Sequence, residues 1–245
     1  MDGYLLFRLY GSLASWGETA VGEVRSSAPW PGRSAIIGLL AASLGIRRDE
    51  EERHRALADG YGVAVCVESS GELLRDYHTT QVPPERRGVR HHTRRDELRS
   101  DSLHTILSQR DYRNDALYTV AVWRKTEIAD ESLETLVQVL EKPHFTLYLG
   151  RKSCPLALPL KPQLVQADSL RNAFDLAEFP DREFLAGLPL TNERIFVWEA
   201  GRPEGMDALQ VNKRRDDLIS RKRWQFSERN EYYRSEPRTA NGRES

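Results

Sequence analysis

The sequence predicts an α+β protein built around one main sheet, and three observations carry that reading. Between residues 4 and 150, apolar runs follow one another in the order strand, helix, strand, strand, helix, strand. That is the order of the ferredoxin-like split βαβ arrangement (βαββαβ), whose sheet is a common RNA-binding platform. A gap of about 35 residues, Thr79 to Asp115, separates the second and third strands, where a hairpin turn normally takes 2 to 5. After Gly150 the character changes, with Pro155, Pro159 and Pro162 in close succession.

Tyr4 to Tyr10 (YLLFRLY) is an apolar, aromatic run of strand type. Gly11, Gly17, Gly22 and Pro29 punctuate a polar loop, after which Ser34 is a candidate N-cap and Gly45 a candidate stop for an apolar helix. Asp49 to Asp59 reads as a second, charged helix, Tyr61 to Glu68 as a buried strand, and Glu72 to His78 as its hairpin partner. Ala116 to Trp123 is a strand rich in β-branched and aromatic residues. Leu133, Leu136, Val137 and Leu140 give Asp130 to Glu141 a helical stripe, ended by Pro143. His144 to Gly150 (HFTLYLG) closes the series as the last core strand. Residues 1–155 then form the core domain, with an insertion at about 79–115. Residues 156–245 form a smaller C-terminal region with one clear strand, Arg194 to Glu199, and a disordered tail from about 235.

A chain of 245 residues with 39% hydrophobic and 30% charged residues can bury a core and is neither disordered nor membrane-embedded. The longest apolar stretch, Ser34 to Ile46, is shorter than the roughly 20 residues of a membrane span. Cys66 and Cys154 suit no disulfide framework or zinc site, and a reducing cytoplasm is the expected compartment. Net charge is −1, which excludes indiscriminate polyanion binding, yet arginines number 30 against 6 lysines. A high-GC genome explains that bias as readily as phosphate binding does, although a planar guanidinium grips phosphates bidentately and stacks on bases as an ammonium cannot.

Four constellations are candidates for chemistry. The insertion carries Arg86, Arg87, Arg90, Arg94, Arg95, Arg99, Arg110 and Arg113 with His91, His92 and His104, and could fold over a bound strand and hold its phosphates, or be a solvated surface loop. The Tyr148-Leu-Gly150-Arg151-Lys152-Ser153 loop could present an anion nest, or be a plain turn. Trp16, in the loop after the first strand, joins Arg33 and Ser34 at a helix start, where phosphates bind readily; Trp16 serves equally as a core anchor. Arg221-Lys-Arg-Trp224-Gln-Phe226 interleaves basic and aromatic residues as single-stranded nucleic acid requires, or docks its aromatics into the core.

Walker, G-x-S-x-G and H-E-x-x-H motifs are missing, and neither a metal nor a cofactor is called for. The enzymatic candidate is Arg75-Asp76-Tyr77-His78-Thr79, since His and Tyr can activate a 2′-hydroxyl without metal. Adjacent strand residues point to opposite faces, however, so Tyr77 and His78 converge on one phosphate only if the strand breaks there.

Four ordered segments, Leu9 to Gly17, Arg33 to Leu40, Arg75 to Thr79 and Tyr148 to Leu156, with a shorter match around Arg223 to Tyr233, together resemble the CasD family. These are RAMP-superfamily subunits of the type I-E CRISPR Cascade complex. The resemblance implies a ferredoxin-like, RRM-like palm with an inserted thumb hairpin. It implies a non-catalytic subunit that binds the 5′ handle of the crRNA and caps the foot of an antiviral complex acting on target DNA. Implied partners are CasC backbone subunits and the large CasA subunit, with no membrane involved. Candidate RNA contacts are Trp16, Arg33, Ser34, Tyr77, His78, Arg86, Arg87, Arg90, Arg110, Tyr148, Gly150, Arg151, Lys152 and Ser153. The alternatives are a metal-independent endoribonuclease processing CRISPR repeat RNA, and a protein-interaction module touching RNA incidentally.

Overall fold

In chain order the elements are β1 (Asp2–Tyr10), β2 (Leu13–Ala14), β3 (Val24–Arg25), α1 (Arg33–Ser43), α2 (Glu51–Gly60), β4 (Tyr61–Ser69) and β5 (Glu72–Val82). There follow α3 (Arg94–Glu97), β6 (His104–Asn114), β7 (Leu117–Arg124), α4 (Leu133–Glu141), β8 (Gln163–Ala167), α5 (Leu170–Leu176), β9 (Glu193–Glu199), β10 (Gln210–Ser220) and β11 (Gln225–Pro237). The structure is a computed structural model and describes residues 2–18, 20, 22–125, 129–180, 185, 187–188, 190–200 and 205–238.

Seven strands form one sheet in the order β10-β11-β9-β4-β7-β1-β8, and every neighbouring pair is antiparallel. Leu5, Phe7, Leu9, Val63, Val65 and Val122 pack on one face with Ile36 and Leu40 of α1 and Leu136 and Leu140 of α4. Tyr4, Leu6, Cys66, Trp123, Phe196 and Trp198 pack on the other with Leu170, Ala173 and Phe174 of α5. Burial on both faces is why β1, β4 and β7 read as continuous apolar runs rather than alternating ones.

Three expectations are corrected. His144 to Gly150 is not a strand: the amides of His144 and Phe145 donate to Ser43 and Ala42 at the end of α1, and Leu149 donates to Cys154. The outer edge of β1 is taken by β8 instead, with Asp2 to Leu6 paired to Ala167 through Gln163. Glu72 to His78 is not the partner of β4, which pairs with β7 and β9; its partner is β6, in an unbroken register from Glu72↔Asn114 to Val82↔His104. The C-terminal region adds β10 and β11 to the expected β9, and β11 runs on to Pro237, past the point where a tail was expected; residues 239–245 lie outside the described residues.

The start of α1 also differs from the sequence reading. Gly32, not Ser34, is the N-cap, and the first helical amide, that of Arg33, donates to Asp216 Oδ2 of β10 at 2.7 Å. A Cβ on residue 32 would overlap that carboxylate, which would have to shift to admit it. The Arg33 side chain is buried and donates through Nε to Glu199 Oε2 at 2.7 Å, through Nη1 to Asp217 Oδ1 at 2.9 Å, and through Nη2 to the carbonyl of Ala58. Glu199 accepts further bonds from Lys125 Nζ and from the backbone amide of Val63, both at 2.7 Å. Beside it Arg229 holds Asp216 and Glu231, and Arg214 holds Glu231.

The loop after α4 docks on the far end of β1. Ser15 donates its amide to the carbonyl of Leu149 at 3.0 Å, and Tyr148 bridges Pro155. Gly150 has φ +84°, and a Cβ there would overlap the carbonyl of Ser15, so both its conformation and the close approach demand glycine.

Two stability measurements follow. Glu199→Ala leaves the buried Arg33 guanidinium short of its counter-charge and should cost roughly 3–5 kcal/mol in urea denaturation, against under about 1 kcal/mol if the network were incidental. Gly150→Ala should cost roughly 2–4 kcal/mol through strain and displacement of the loop from Ser15; wild-type stability would contradict the close approach.

Candidate nucleic-acid interface

β5 and β6 form a long two-stranded ribbon joined by residues 83–103, which include the short helix α3. Among the described residues only the base of β6 is backed further: β2 pairs at Asn114 and Arg113, and β3 runs parallel beside Gln109 and Arg110. At about 3.3 Å per residue the eleven-residue strands are roughly 35 Å long, which separates tip from base.

The register assigns side chains to faces, because directly opposed residues share one. On the first face Arg75 reaches across to Asp111 in a bidentate pair (3.0 and 3.2 Å), and Tyr77, 63% exposed, lies next to it opposite Gln109. The Arg75 hydrogen bonds hold the Asp111 carboxyl below the usual carboxylate range. On the second face are Asp76 with Arg110, and His78 with Ser108; the His78 ring contacts the Asp76 carboxylate. Because β5 is unbroken there, Tyr77 and His78 point to opposite faces.

Arg151 brings the Gly150 loop to the second face. Its guanidinium lies 4.8 Å from the centroid of Tyr112, which alternates with Arg110 along β6, and Nη2 donates to the carbonyl of Arg25. Arg25 stands beside Arg110 in the parallel register of β3. The structure therefore gathers His78, Arg110 and Arg151 near one corner, with Lys152 and Ser153 exposed on the adjoining turn. Arg25, Arg110 and Arg151 make no ion pair with a carboxylate among the described residues.

Other candidates lie elsewhere. Arg86, Arg87 and Arg90 are exposed at the ribbon tip. Trp16 is buried at 3% exposure, edge-on to Tyr118 at 5.8 Å, so of its two readings the core anchor matches its position. Arg33 is consumed by its carboxylates, and the helix start that might have bound phosphate is filled by Asp216, with Ser34 half-buried behind it. Tyr148 is 40% exposed. Arg25 escaped the sequence reading, since only its pairing with Arg110 reveals its place. Among the described residues no group of His, Cys, Asp and Glu could hold a metal ion, both cysteines are buried and free, and no helix is long and apolar enough to cross a membrane.

Comparison with known proteins adds context to this geometry. Residues 4–232 match the family described as CRISPR-associated protein (Cas_Cas5). The chain is 38% identical over 169 residues to the CRISPR system Cascade subunit CasD of Escherichia coli (strain K12), a match covering 65% of this chain and 70% of the relative. Among solved structures, a chain of a CRISPR RNA-guided surveillance complex superposes with a TM-score of 0.61 at 26% identity, covering 96% of this chain and 89% of the other. The crystal structure of a Cas protein superposes at 0.57, also at 26% identity, covering 96% and 94%. With a mixed, sheet-rich architecture shared with these structures and a family match across nearly its whole length, the chain belongs to the Cas5 family of CRISPR-associated proteins, whose relatives here include a Cascade subunit.

Proposed function

We propose that this chain is a non-catalytic subunit of a type I-E Cascade complex, which holds the 5′ handle of the crRNA and caps the foot of the assembly. In this reading β4-β7-β1-β8, with α1 and α4, is the ferredoxin-like, RRM-like palm of a RAMP protein, reaching to Ala167, and the β5–β6 ribbon is its thumb. Residues beyond the palm extend its sheet. The neighbours are CasC backbone subunits and CasA in the cytoplasm, and the assembled complex engages target DNA. The observation that carries the reading is the corner where Arg25, Arg110 and Arg151 meet without carboxylate partners among the described residues, beside the Gly150 turn. Guanidiniums gathered at one place without an ion pair favour phosphate, and phosphate contacts position a strand without reading its bases.

Holding is favoured over cutting because Tyr77 and His78 face opposite sides of an intact strand. Reversal of Arg86, Arg87 and Arg90 to Glu should weaken capture of handle RNA and lower the salt slope of binding by about 2, at roughly 0.7 per phosphate contact on a single strand. Unchanged RNA retention in the purified complex would sink the thumb assignment. The lone protein incubated with repeat RNA and EDTA should leave it intact. Specific cleavage that disappears in His78→Ala would overturn the non-catalytic reading.

A further inference from the structure

The turn between β10 and β11 builds a second basic and aromatic surface that the ribbon does not include. Trp224, 55% exposed, carries two guanidiniums on its ring: Arg48, from the loop between α1 and α2, at 4.6 Å and Arg221 at 4.5 Å. Neither arginine has an ion pair with a carboxylate among the described residues. Two acids of the neighbouring segment are already engaged: Glu51 accepts from the hydroxyl of Ser220 and the amide of Lys222, and Glu50 from Arg53 and the amide of Arg47. Burial, and then the like charge of Arg48, push the Arg221 guanidinium below its usual range, while Tyr148 on the Gly150 loop acts in the opposite sense.

The backbone gives an independent sign. Trp224 adopts φ +57°, the left-handed region that costs a non-glycine residue about 1–2 kcal/mol, and its amide closes the turn onto the carbonyl of Arg221. Glycine would meet the turn's needs more cheaply. What the tryptophan adds is an exposed ring with cations on it, and such a ring suits a partner that offers negative charge and flat bases together.

We propose that Arg48, Arg221 and Trp224, continued by Tyr148 toward Arg151, form a second contact track for single-stranded RNA, which carries the strand from the Gly150 turn to the β10–β11 turn. Phosphates lie against the guanidiniums and a base stacks face to face on an exposed ring or on a guanidinium plane. An acidic protein segment could meet the charges, but the exposed aromatics spaced from Tyr148 to Trp224 favour nucleic acid. The inference rests on the reading of the chain as an RNA-holding subunit.

The test uses the full chain and single-stranded RNA of the handle sequence extended on its 3′ side, with 4-thiouridine at successive positions. Wild-type protein should crosslink at Trp224 or Tyr148 in addition to the ribbon base. Trp224→Ala should weaken binding roughly 5- to 150-fold. Arg48→Glu should lower the salt slope by about 0.7 or more, and Arg48→Lys should restore the slope but not the full affinity. Both side chains are exposed, and unchanged thermal unfolding verifies that the variants fold. If the Arg86/Arg87/Arg90 reversal loses RNA while the Trp224 and Arg48 variants bind as wild type, this inference falls and the RNA-holding reading stands. If no variant alters RNA binding, both fall. Crosslinks from this turn confined to a neighbouring subunit in the assembled complex would overturn the track in favour of an acidic protein segment.

Discussion

Two carboxylates, Glu199 and Asp216, decide whether α1 can sit where it does. Arg33 opens the helix with its guanidinium buried against the sheet, a position that costs several kcal/mol for a charge without partners. Glu199 from β9 and Asp217 from β10 supply the counter-charge, Asp216 accepts the Arg33 backbone amide, and Lys125 just after β7 shares Glu199. The seat of a helix near residue 33 is therefore completed only when the last third of the chain has paired. That dependence reaches the candidate interface: the loop from Gly11 to Gly32, which lends β2 and β3 to the ribbon base, is held at one end by β1 and at the other by Arg33.

The same residue type is sorted into two uses by its neighbours. Arg33, Arg214 and Arg229 are matched to Glu199, Asp216, Asp217 and Glu231 and act as internal fasteners. Arg25, Arg110 and Arg151 at the ribbon base, and Arg48 and Arg221 at the last turn, have no such match among the described residues. A net charge of −1 over the whole chain conceals this division, because the sum counts paired and unpaired arginines alike. Local rather than total charge sets where a polyanion can settle.

The legibility of the sequence follows the same line. β1, β4, β7, α4 and the Gly45 end of α1 could be read because apolar runs, periodicity and glycine at φ +73° are local signals. His144 to Gly150 has Leu147 and Leu149 buried at strand spacing, yet its amides are claimed by the carbonyls at the end of α1, which no local pattern announces. β10 and β11 went unread for the opposite reason. NKRRDDLIS and QFSERNEYYRS lack clean apolar alternation, and cross-strand ion pairs such as Arg214 with Glu231 join them in its place. Of the candidate contacts, Arg110, Arg151 and His78 lie on one side of the ribbon base, whereas Arg33 is held inside by partners that no local pattern announces, Asp216 lying 183 residues away.

What remains is why the ribbon stands out from the sheet at all. A two-stranded ribbon is marginally stable alone, and outward of Ser108 this one has no third strand among the described residues. Leu73, Leu74, Ile106 and Leu107 are each more than a third exposed, so neither face is covered along its length. Cutting RNA would require a base and its partners held within a few tenths of an ångström, a demand that such an element meets poorly. Gripping phosphates requires only that guanidiniums reach them, and a ribbon that gains order as it closes on a strand can do so while covering its own apolar residues against a neighbour. The architecture of the insertion and the opposed faces of Tyr77 and His78 thus both support the proposed division of labour, in which the base of the ribbon positions a strand and the rest of it retains that strand.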